Sequence, residues 1–380
     1  MEKKLRLKDK VQIYIKNRKK RKLKDILFIL FICIVGIGIC QALRNMNKSK
    51  SIDYVSNKEG FILKATFVGD IMLGRNVEKF GEENKYTELF SKVSKIYKDS
   101  DYISGNFENA VLTKEKSNYT TADKYIHLNS TEKSVEALSQ QHFDVVTLAN
   151  NHVYDYGENG LRDTINILEK YNIDYIGAGE NIDQASKYNV KSVNGVEIAN
   201  IGISDTIAPE FTAYKEKPGI VTTKDDAHLK IIKYANKECD LVVVNIHWGD
   251  EYSFKESEYQ RKLAQDMIDM GADIIIGHHP HVLHPIETYK DGIIFYSLGN
   301  FVFDQGWSRT KDSIIVNYKL DKYGNGEFEV IPLRIDEAMP IPTEKKFYVN
   351  RIFNQLTKNL DENSNWKIEE NKLIIKATKI

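Results

Sequence analysis

The chain has 380 residues, too many for one small module, and predicts one large or two modest domains. Hydrophobic residues make up 42% and charged residues 28%, which excludes collagen-like, disordered and low-complexity classes. Basic and acidic residues balance at 54 each, but residues 1–24 hold 12 of the basic and two of the acidic side chains, so the other 356 residues carry 42 and 52, a net charge of −10. A body of that sign indicates no nucleic acid partner. Three cysteines, two of them in an apolar segment, exclude a disulfide framework.

A basic tail, residues 1–25, precedes an uncharged apolar segment at 26–43. Its 18 residues would span about 27 Å as a helix, close to the hydrocarbon core of a bilayer. A cleaved signal peptide is the alternative, but Gln41–Arg44 offers no small-x-small site, and Cys40 lacks the small residue before it that a lipoprotein signal needs. We predict a single-pass anchor in the cell membrane, with a cytoplasmic N-terminus and an extracellular main domain. Residues 44–60 are polar and are predicted to be a linker.

From residue 61 onward, short apolar runs alternate with helical patterns. The predicted strands are Lys64–Gly69, Tyr102–Gly105, Asp144–Leu148, Tyr175–Gly177, Glu197–Ile203, Leu241–Ile246, Asp273–Ile276, Ile293–Leu298, Ser313–Tyr318 and Phe328–Leu333. Strands that alternate with helices predict an α/β fold with a largely central sheet. The later strands, from 293 to 333, have no helices between them and predict hairpins that close a second sheet.

Two segments have apolar residues at helical spacing, Glu158–Tyr171 and Glu256–Met270. The second is predicted to bury one face, made of Tyr259, Leu263, Met267 and Met270. We place the main domain at residues 61–340. Residues 341–380 are predicted to be a C-terminal appendage containing a helix and a hairpin.

Polar residues able to bind a metal ion follow the ends of five predicted strands. They are Asp70, Asn106 and Glu108, Asn150, Asn151 and His152, His247, and the group His278, His279 and His281. Because ligands of open α/β sheets bind at the carboxyl ends of the strands, we expect these side chains to share one pocket. Plainer interpretations exist for single residues: Asp70 as a helix N-cap, Glu108 and Asn151 as loop formers, and His247 as a half-buried histidine. His279 and His281 are two apart, so on an extended segment they would face the same way.

Carboxylate, amide and imidazole groups together suit Mn, Fe or Zn rather than Ca or Mg alone. No cysteine contributes, which excludes a structural zinc finger. The sequence contains no P-loop, strand-linked G-x-G-x-x-G or G-x-S-x-G motif. The residues therefore predict an extracytoplasmic α/β domain with a mono- or dinuclear metal site.

Six segments resemble the CapA/PgsA family of capsule or poly-γ-glutamate biosynthesis proteins, a branch of the calcineurin-like metallophosphoesterase superfamily. They are GDIMLGR (69–75), GNFEN (105–109), LANNHVYDYGENGL (148–161), NIHWGDEY (245–252), GHHPHVLHPIE (277–287) and YSLGNFVFDQ (296–305). The resemblance covers about residues 62–310, in the family order. It implies a four-layer α/β/β/α metallophosphoesterase-like sandwich, here preceded by one transmembrane helix.

The resemblance also implies a divalent metal cofactor, as one or two ions. The implied ligands are Asp70, Glu108, Asn151, His247, His279 and His281. It implies that His152 lies beside the leaving group and that His278 neighbours the ligands, and it assigns no role to His284. The chain departs from the superfamily at Met72, where an Asp-x-His motif would have histidine, and at Glu108, where aspartate is usual. Because methionine is a poor ligand for a hard ion, one metal position is expected to bind weakly or stay empty.

The leading hypothesis is a membrane-anchored extracytoplasmic component of poly-γ-glutamate or capsule biosynthesis or export. Its implied partners are membrane subunits of the polymer synthase, an amide ligase, and the anionic polymer or its intermediates. If it is catalytic, metal-activated water would attack a phosphoryl or acyl centre, His152 would protonate the leaving group, and Arg75 would contact an anionic substrate. The alternatives are a non-catalytic scaffold or export factor and a general surface phosphoesterase. A body of net charge −10 repels a polyanion, so either a basic or metal-rich cleft compensates or the protein handles intermediates.

Overall fold

The computed structural model describes residues 60–224, 226–360 and 365–378. The predicted basic tail (1–25) and membrane anchor (26–43) lie outside these residues, as does the predicted linker apart from Gly60. Within the described residues, no helix has both the length and the apolar character needed to cross a bilayer.

The described part of the chain forms twenty strands and eight α-helices. The strands are β1 (Phe61–Ile71), β2 (Tyr102–Phe107), β3 (Ala110–Val111), β4 (Asn129–Ser130), β5 (Val145–Thr147), β6 (Asp174–Ile176), β7 (Ala178–Gly179), β8 (Asn189–Val193), β9 (Val196–Ser204), β10 (Gly219–Ile220), β11 (Leu241–His247), β12 (Ile274–His278), β13 (Ile286–Tyr289), β14 (Gly292–Phe295), β15 (Asn300–Val302), β16 (Asp312–Asp321), β17 (Asn325–Asp336), β18 (Met339–Pro342), β19 (Trp366–Glu369) and β20 (Lys372–Thr378). The helices are α1 (Arg75–Asn84), α2 (Ser94–Tyr97), α3 (Glu132–Gln140), α4 (Gly157–Lys170), α5 (Ile182–Ala185), α6 (Ala227–Glu238), α7 (Glu258–Asp269) and α8 (Lys346–Leu356).

Most of these strands form two mixed sheets. The first has the order β19-β20-β17-β16-β1-β2-β5-β6, with β15 paired to β1 and β18 paired to β17. The second has the order β13-β14-β12-β11-β9-β8. Strands β1, β2, β5 and β6 run parallel in the first sheet, as do β9, β11, β12 and β14 in the second. The predicted α/β class is therefore confirmed.

The three largest of the four apolar clusters in the described residues lie between the layers. One fills the space between the two sheets and includes Phe67 of β1 and Val243 of β11. A second packs helices, through Leu161 of α4, on the other face of the first sheet. The third packs Met267 of α7 on the other face of the second sheet. The layers therefore run helices, sheet, sheet, helices, and central strands such as β2 and β11 are buried along their whole length because both of their faces are covered.

The prediction that the strands of residues 293–333 close a second sheet is wrong for β16 and β17. Strand β16 pairs antiparallel with β1 in the first sheet, and β17 pairs with β16. Phe67 of β1 lies opposite Val316 of β16, and both contribute to the cluster between the sheets. Other alternate residue pairs along the two strands do the same. This pairing is favoured because it keeps the apolar face of both strands on one side.

The C-terminal segment continues the first sheet. Strand β20 pairs with β17, and β19 pairs with β20, which gives the hairpin predicted near Trp366. Helix α8 contributes Val349 and Phe353 to the cluster between the two sheets. Residues 341–360 and 365–378 thus share strands and core with the residues before them.

Helix α7 begins at Glu258, two residues later than predicted, because Ser257 caps it. The Ser257 hydroxyl accepts a hydrogen bond from the Gln260 backbone N–H at 3.1 Å, and the Gln260 side chain accepts one from the Ser257 N–H at 3.0 Å. Leu263 is buried as predicted, but Tyr259 is 55% exposed. In the first turn its side chain faces the solvent, and its hydroxyl donates to Asp205 at 3.0 Å.

Asp273, directly before β12, offers a test of how stability depends on pH. Its carboxylate accepts the Val242 backbone N–H at 2.7 Å, and burial raises its pKa from 3.8 to about 6, with help from Asp291. The pKa of Asp273 is higher in the folded protein than in the unfolded chain. The protein therefore loses stability as the pH rises from about 4 through 6 and Asp273 ionises. For Asp273→Asn, which keeps an acceptor for Val242, we expect a free energy of unfolding about 2 kcal/mol above wild type at pH 8 and equal to it at pH 4. Urea unfolding at both pH values measures this, and an equal difference at both would contradict it.

Candidate metal centre

The candidate site lies where the carboxyl ends of parallel strands from both sheets meet. Asp70, near the end of β1, is in register with Asn106 of β2 in the first sheet. His247, which ends β11, is in register with His278, which ends β12 in the second sheet. The His279 backbone N–H lies 3.4 Å from Asp70 Oδ2 and joins the two halves.

Two fully buried carboxylates, Asp70 and Glu108, form the base of the site. The Asn106 side-chain amide holds them side by side, because Nδ2 donates to Asp70 Oδ1 at 2.9 Å and to Glu108 Oε2 at 3.0 Å. Asn150 holds Asn106 in turn, since its own Nδ2 donates to Asn106 Oδ1 at 3.0 Å and to the Phe107 carbonyl at 2.8 Å. This amide pair fixes the spacing of the two acids.

The histidines of the second sheet face these carboxylates. His281 places Nδ1 3.2 Å from Asp70 Oδ2 and Nε2 3.6 Å from Glu108 Oε1. The rings of His247 and His279 lie 4.5 Å apart, centroid to centroid, and His247 Nε2 is 3.1 Å from Asn151 Oδ1.

The route by which His279 and His281 converge differs from the predicted one. The segment is not extended, because His279 has a φ of 96° and His281 a φ of 56°. Both values lie in the left-handed region, which non-glycine residues enter at a cost. A tight turn at Pro280, rather than strand alternation, therefore brings the rings to within 6.0 Å of each other. Backbone held in such conformations is a feature of functional sites.

The structure brings five of the predicted ligands, together with Glu251, into three overlapping sets, in each of which the ligand atoms all lie within 4.8 Å of one another. The sets are Glu108 with His247 and His279, Asp70 with Glu108 and His281, and Glu251 with His279 and His281. Glu108 belongs to two of them. Asn151 joins the first through its contact with His247.

Two buried atoms of these sets fit a bound cation. Among the described residues, Glu108 Oε1 and His279 Nδ1 are buried atoms without a hydrogen-bond partner. A buried polar atom left in this state costs about 1–3 kcal/mol, so such atoms are rare unless something binds them. Both carry a lone pair when Glu108 is ionised and that nitrogen of His279 is unprotonated. Carboxylate oxygen and imidazole nitrogen are ligands that Mn, Fe and Zn accept.

The buried charges shift the pKa values of these groups. Burial, and then the Asp70 carboxylate, hold the pKa of Glu108 well above its usual range. Burial opposes ionisation of Asp70, but hydrogen bonds from His278 and His281 hold its pKa well below the usual value. Burial likewise opposes protonation of His281, but Glu108 and Asp70 raise its pKa to about 9. Burial and His281 lower the pKa of His279 to about 3, so His279 is neutral at physiological pH, the form that binds metal.

His152 follows β5 in a turn beside the site and is oriented by its neighbours. Its Nδ1 lies 2.8 Å from Asp155 Oδ2, and its backbone N–H donates to Asn150 Oδ1 at 3.0 Å. Lys124 braces the turn, because Nζ lies 2.6 Å from Asp155 Oδ1 and donates to the Asn151 carbonyl at 2.7 Å. With Nδ1 held by Asp155, Nε2 is the ring nitrogen that can act on a substrate.

Arg75 lies at the rim of the site and outside the buried clusters. Its side chain is 39% exposed and forms an ion pair with Asp304. The guanidinium lies 5.6 Å from the centre of the Phe303 ring, which is 4.8 Å from the ring of His281. Arg75 is therefore separated from His281 by one aromatic ring.

A cavity of about 580 Å³ opens beside the site and shares Lys124 and Asn151 with it. Four carboxylates and one lysine are among its described lining residues, and the acids are Asp123, Asp205, Glu210 and Asp250. The exposed ring of Tyr259 lines it as well. The cleft is thus acidic rather than basic.

Sequence reasoning missed several residues that support the site. Lys124 lies in a loop without any recognisable pattern, and its role follows only from its contacts with Asp155 and Asn151. Asn300, within the YSLGNFVFDQ segment, places Oδ1 2.9 Å from His281 Nδ1. Glu251 is part of the HWGDEY segment, where the sequence analysis assigned only His247. Membership in a recognised motif was the one available signal for Asn300 and Glu251.

Comparisons with known proteins agree on one family. The family model described as "Bacterial capsule synthesis protein PGA_cap" matches residues 64–305. The "Capsule biosynthesis protein CapA" of Bacillus anthracis is 43% identical over 380 residues, which cover 99% of this chain and 92% of that protein. The "PGA biosynthesis protein CapA" of Bacillus subtilis is 48% identical over 314 residues, 82% of each chain.

Solved structures give more distant likenesses. A 5'-nucleotidase precursor from Thermus thermophilus aligns with a TM-score of 0.36 and 11% identity, over 77% of this chain and 58% of that one. The purple acid phosphatase PPD1 of yellow lupin aligns with a TM-score of 0.35 and 7% identity, over 77% and 56%. Likenesses at this level are too distant to assign an activity. The sequence matches are decisive, and they show that the chain belongs to the family of bacterial capsule synthesis proteins described as PGA_cap.

Proposed function

We propose that this protein is a membrane-anchored component of poly-γ-glutamate or capsule biosynthesis or export, working on the outer face of the cell membrane. Two observations support this role: relatives that are 43% and 48% identical over the aligned residues are named for capsule and PGA biosynthesis, and the sequence has an apolar segment at 26–43. The proposed partners are the membrane subunits of the polymer synthase, an amide ligase, and the polymer or its intermediates.

We further propose that the site holds one or two divalent ions of Mn, Fe or Zn. The observation that carries this proposal is the cluster of buried side chains formed by Asp70, Glu108 and three histidines. Within it, Glu108 Oε1 and His279 Nδ1 have no hydrogen-bond partner. The proposed ligands are Asp70, Glu108, Asn151, His247, His279 and His281. A divalent ion supplies Lewis acidity and lowers the pKa of a coordinated water molecule.

The surrounding side chains fit the hydrolysis of a phosphoester or amide bond. His152, with Nδ1 held by Asp155, has Nε2 available to give a proton to the leaving group. Arg75 at the rim can bind an anionic group of the substrate by exchanging its partner Asp304.

The charge of the cavity favours a small substrate. Among its described lining residues, four carboxylates face one lysine, so the cleft does not offset the net charge of −10 carried by residues 25–380. A polyanion would be repelled both at long range and in the cleft. We therefore propose that the site acts on intermediates or chain ends rather than on the bulk polymer.

A non-catalytic scaffold or export factor is the second candidate, and Met72 favours it. Met72 is fully buried, and its sulfur accepts the Gly74 N–H at 3.2 Å, so it turns away from the carboxylates and offers no ligand. A weakened metal site is compatible with binding without turnover.

Assays of the full-length chain with added manganese separate these candidates. The substrates are phosphodiesters, phosphomonoesters and γ-glutamyl amides. For an enzyme we expect turnover that His152→Ala lowers by about 10²–10⁴-fold with metal content unchanged, because only the proton donor is lost. The control is His142→Asn, since His142 is an exposed histidine with a φ of 61°, which asparagine tolerates.

Three other outcomes are informative. Metal binding without turnover on any substrate would support the scaffold. Turnover that His152→Ala leaves unchanged would overturn the assignment of the proton donor. An amide ligase gene beside the gene for this protein would support a role in polymer synthesis over a general surface phosphoesterase.

A further inference from the structure

Glu251 is a carboxylate at the site to which neither the sequence motifs nor the proposed function gives a role. It follows β11 in the segment that also contains His247, and its side chain is exposed. One of its carboxylate oxygens and one ring nitrogen each of His279 and His281 all lie within 4.8 Å of one another. Of the two sets that include Glu108, His279 belongs to one and His281 to the other.

Backbone hydrogen bonds hold Glu251 against the histidine turn. The Tyr252 N–H donates to the Pro280 carbonyl at 2.9 Å, and the Trp248 N–H donates to the His278 carbonyl at 3.2 Å. The fully buried Trp248 anchors the loop, because its indole N–H donates to the Tyr296 carbonyl at 2.9 Å. The position of Glu251 is therefore set by the same turn that sets His279 and His281.

Tyr252 further restricts the loop through both its backbone and its side chain. Its φ of 64° lies in the left-handed region, so the hydrogen bond to Pro280 maintains a strained backbone beside Glu251. Its ring lies 6.2 Å from the ring of His281, and its hydroxyl accepts a hydrogen bond from Gln305 Nε2 at 3.2 Å. These contacts restrain the backbone from which the Glu251 side chain projects.

The Asp70 side of the site has few ligands without Glu251. Strand β1 supplies only Asp70 there, because Met72 is turned into the core. Asn106 presents its amide N–H to Asp70 and Glu108, which is a donor and not a ligand. Mn and Fe commonly take more than four ligands, and carboxylate oxygen suits them.

We propose that Glu251 is an additional metal ligand that closes the solvent side of the centre, together with His279 and His281. This inference rests on the metal site of the proposed function and adds to it a residue outside its ligand set. The buried ligands form the floor of the centre, and Glu251 is its one exposed carboxylate ligand among the described residues. Removing Glu251 should therefore weaken metal binding without disturbing the core.

The test compares metal binding by the full-length wild-type chain and Glu251→Gln. Both are stripped with a chelator and titrated with Mn²⁺ by calorimetry, and bound metal is counted by plasma mass spectrometry after dialysis. We expect Glu251→Gln to weaken the affinity of at least one ion by tenfold or more, with a changed visible spectrum when Co²⁺ replaces Mn²⁺. The control is Glu258→Gln, an exposed acid in the first turn of α7, which should bind like wild type.

The metal-free melting temperatures of the wild type and Glu251→Gln should agree, which excludes misfolding as the cause of weaker binding. Unchanged affinity and stoichiometry in Glu251→Gln, with normal binding by wild type, would overturn this inference and leave the proposed metal site intact. Failure of wild type itself to bind Mn²⁺, Fe²⁺ or Zn²⁺ would overturn both.

Discussion

Glu108→Gln should abolish stabilisation by metal while leaving the metal-free protein at least as stable as wild type. Glu108 is fully buried beside Asp70, and its Oε1 has no hydrogen-bond partner. Glutamine keeps the shape but cannot ionise, whereas burial and Asp70 hold the pKa of Glu108 well above its usual range at a cost to the folded state, so we expect the variant to raise the free energy of unfolding of the metal-free protein at neutral pH. At a metal concentration 100 times the wild-type Kd, metal should raise the free energy of unfolding of wild type by about 2.7 kcal/mol. The same concentration should not measurably stabilise the variant. Thermal unfolding with and without Mn²⁺ measures both effects.

Glu256→Gln is the matched control, because Glu256 is also buried but has partners of its own. It pairs with Arg261 and accepts from Asn359 Nδ2 at 2.9 Å, away from the ligand sets. This variant should lose stability with and without metal and keep the full response to Mn²⁺. If Glu108→Gln behaved in the same way, Glu108 would be a structural residue and the shared ligand would be wrongly assigned.

Gly69→Ala should lower the free energy of unfolding by about 3 kcal/mol or more and should also weaken metal binding. A Cβ at this position would lie 1.9 Å from the Gly299 carbonyl oxygen and 2.9 Å from its carbon, and both are backbone atoms that cannot rotate away. The same carbonyl accepts the Asp70 N–H at 3.0 Å, so the methyl group would force β1 away from the start of β15. Asp70 and Asn300, the register pair beside this contact, would then move apart. Urea unfolding and Mn²⁺ titration measure the two effects.

Gly306→Ala is the control for this substitution. A Cβ there would meet nothing within 4 Å, so we expect a change in stability below about 0.5 kcal/mol and normal metal binding. Wild-type stability in Gly69→Ala would mean that β1 and the Gly299 backbone are free to separate, contrary to the close approach described.

The central strands of both sheets could be predicted because burial on both faces leaves a strong signal, whereas the short strands β3, β4, β7 and β10 and the edge strands β8 and β13 were not predicted. Strand β11 is buried at every residue and has the sequence LVVVNIH, which only a central strand accommodates. The sequence carries no comparable signal for which strands pair with each other. The alternation in β16 indicates that one face is buried, but it does not specify β1 as the neighbour, so the hairpin of β16 and β17 was assigned to the wrong sheet.

The meeting of the predicted ligands could be foreseen because parallel strand ends share one edge. Asp70, Glu108 and His247 each follow from the position of a strand end. Backbone torsion angles could not be foreseen, and it is the left-handed turn at His279 and His281 that brings these rings together. Lys124 and Asp155 are 31 positions apart, with two strands and a helix between them, and no local pattern encodes their contact.

The two halves of the centre come from different sheets, with Asp70 and Glu108 on one side and His247, His279 and His281 on the other. An ion held by both halves would act as a cross-link between layers that otherwise adhere mainly through apolar contacts. Sliding of one layer over the other would then require release of the ion. Chelation would weaken the packing of the two sheets against each other, and separation of the sheets would release the ion. Metal retention and the stability of the domain would therefore be coupled.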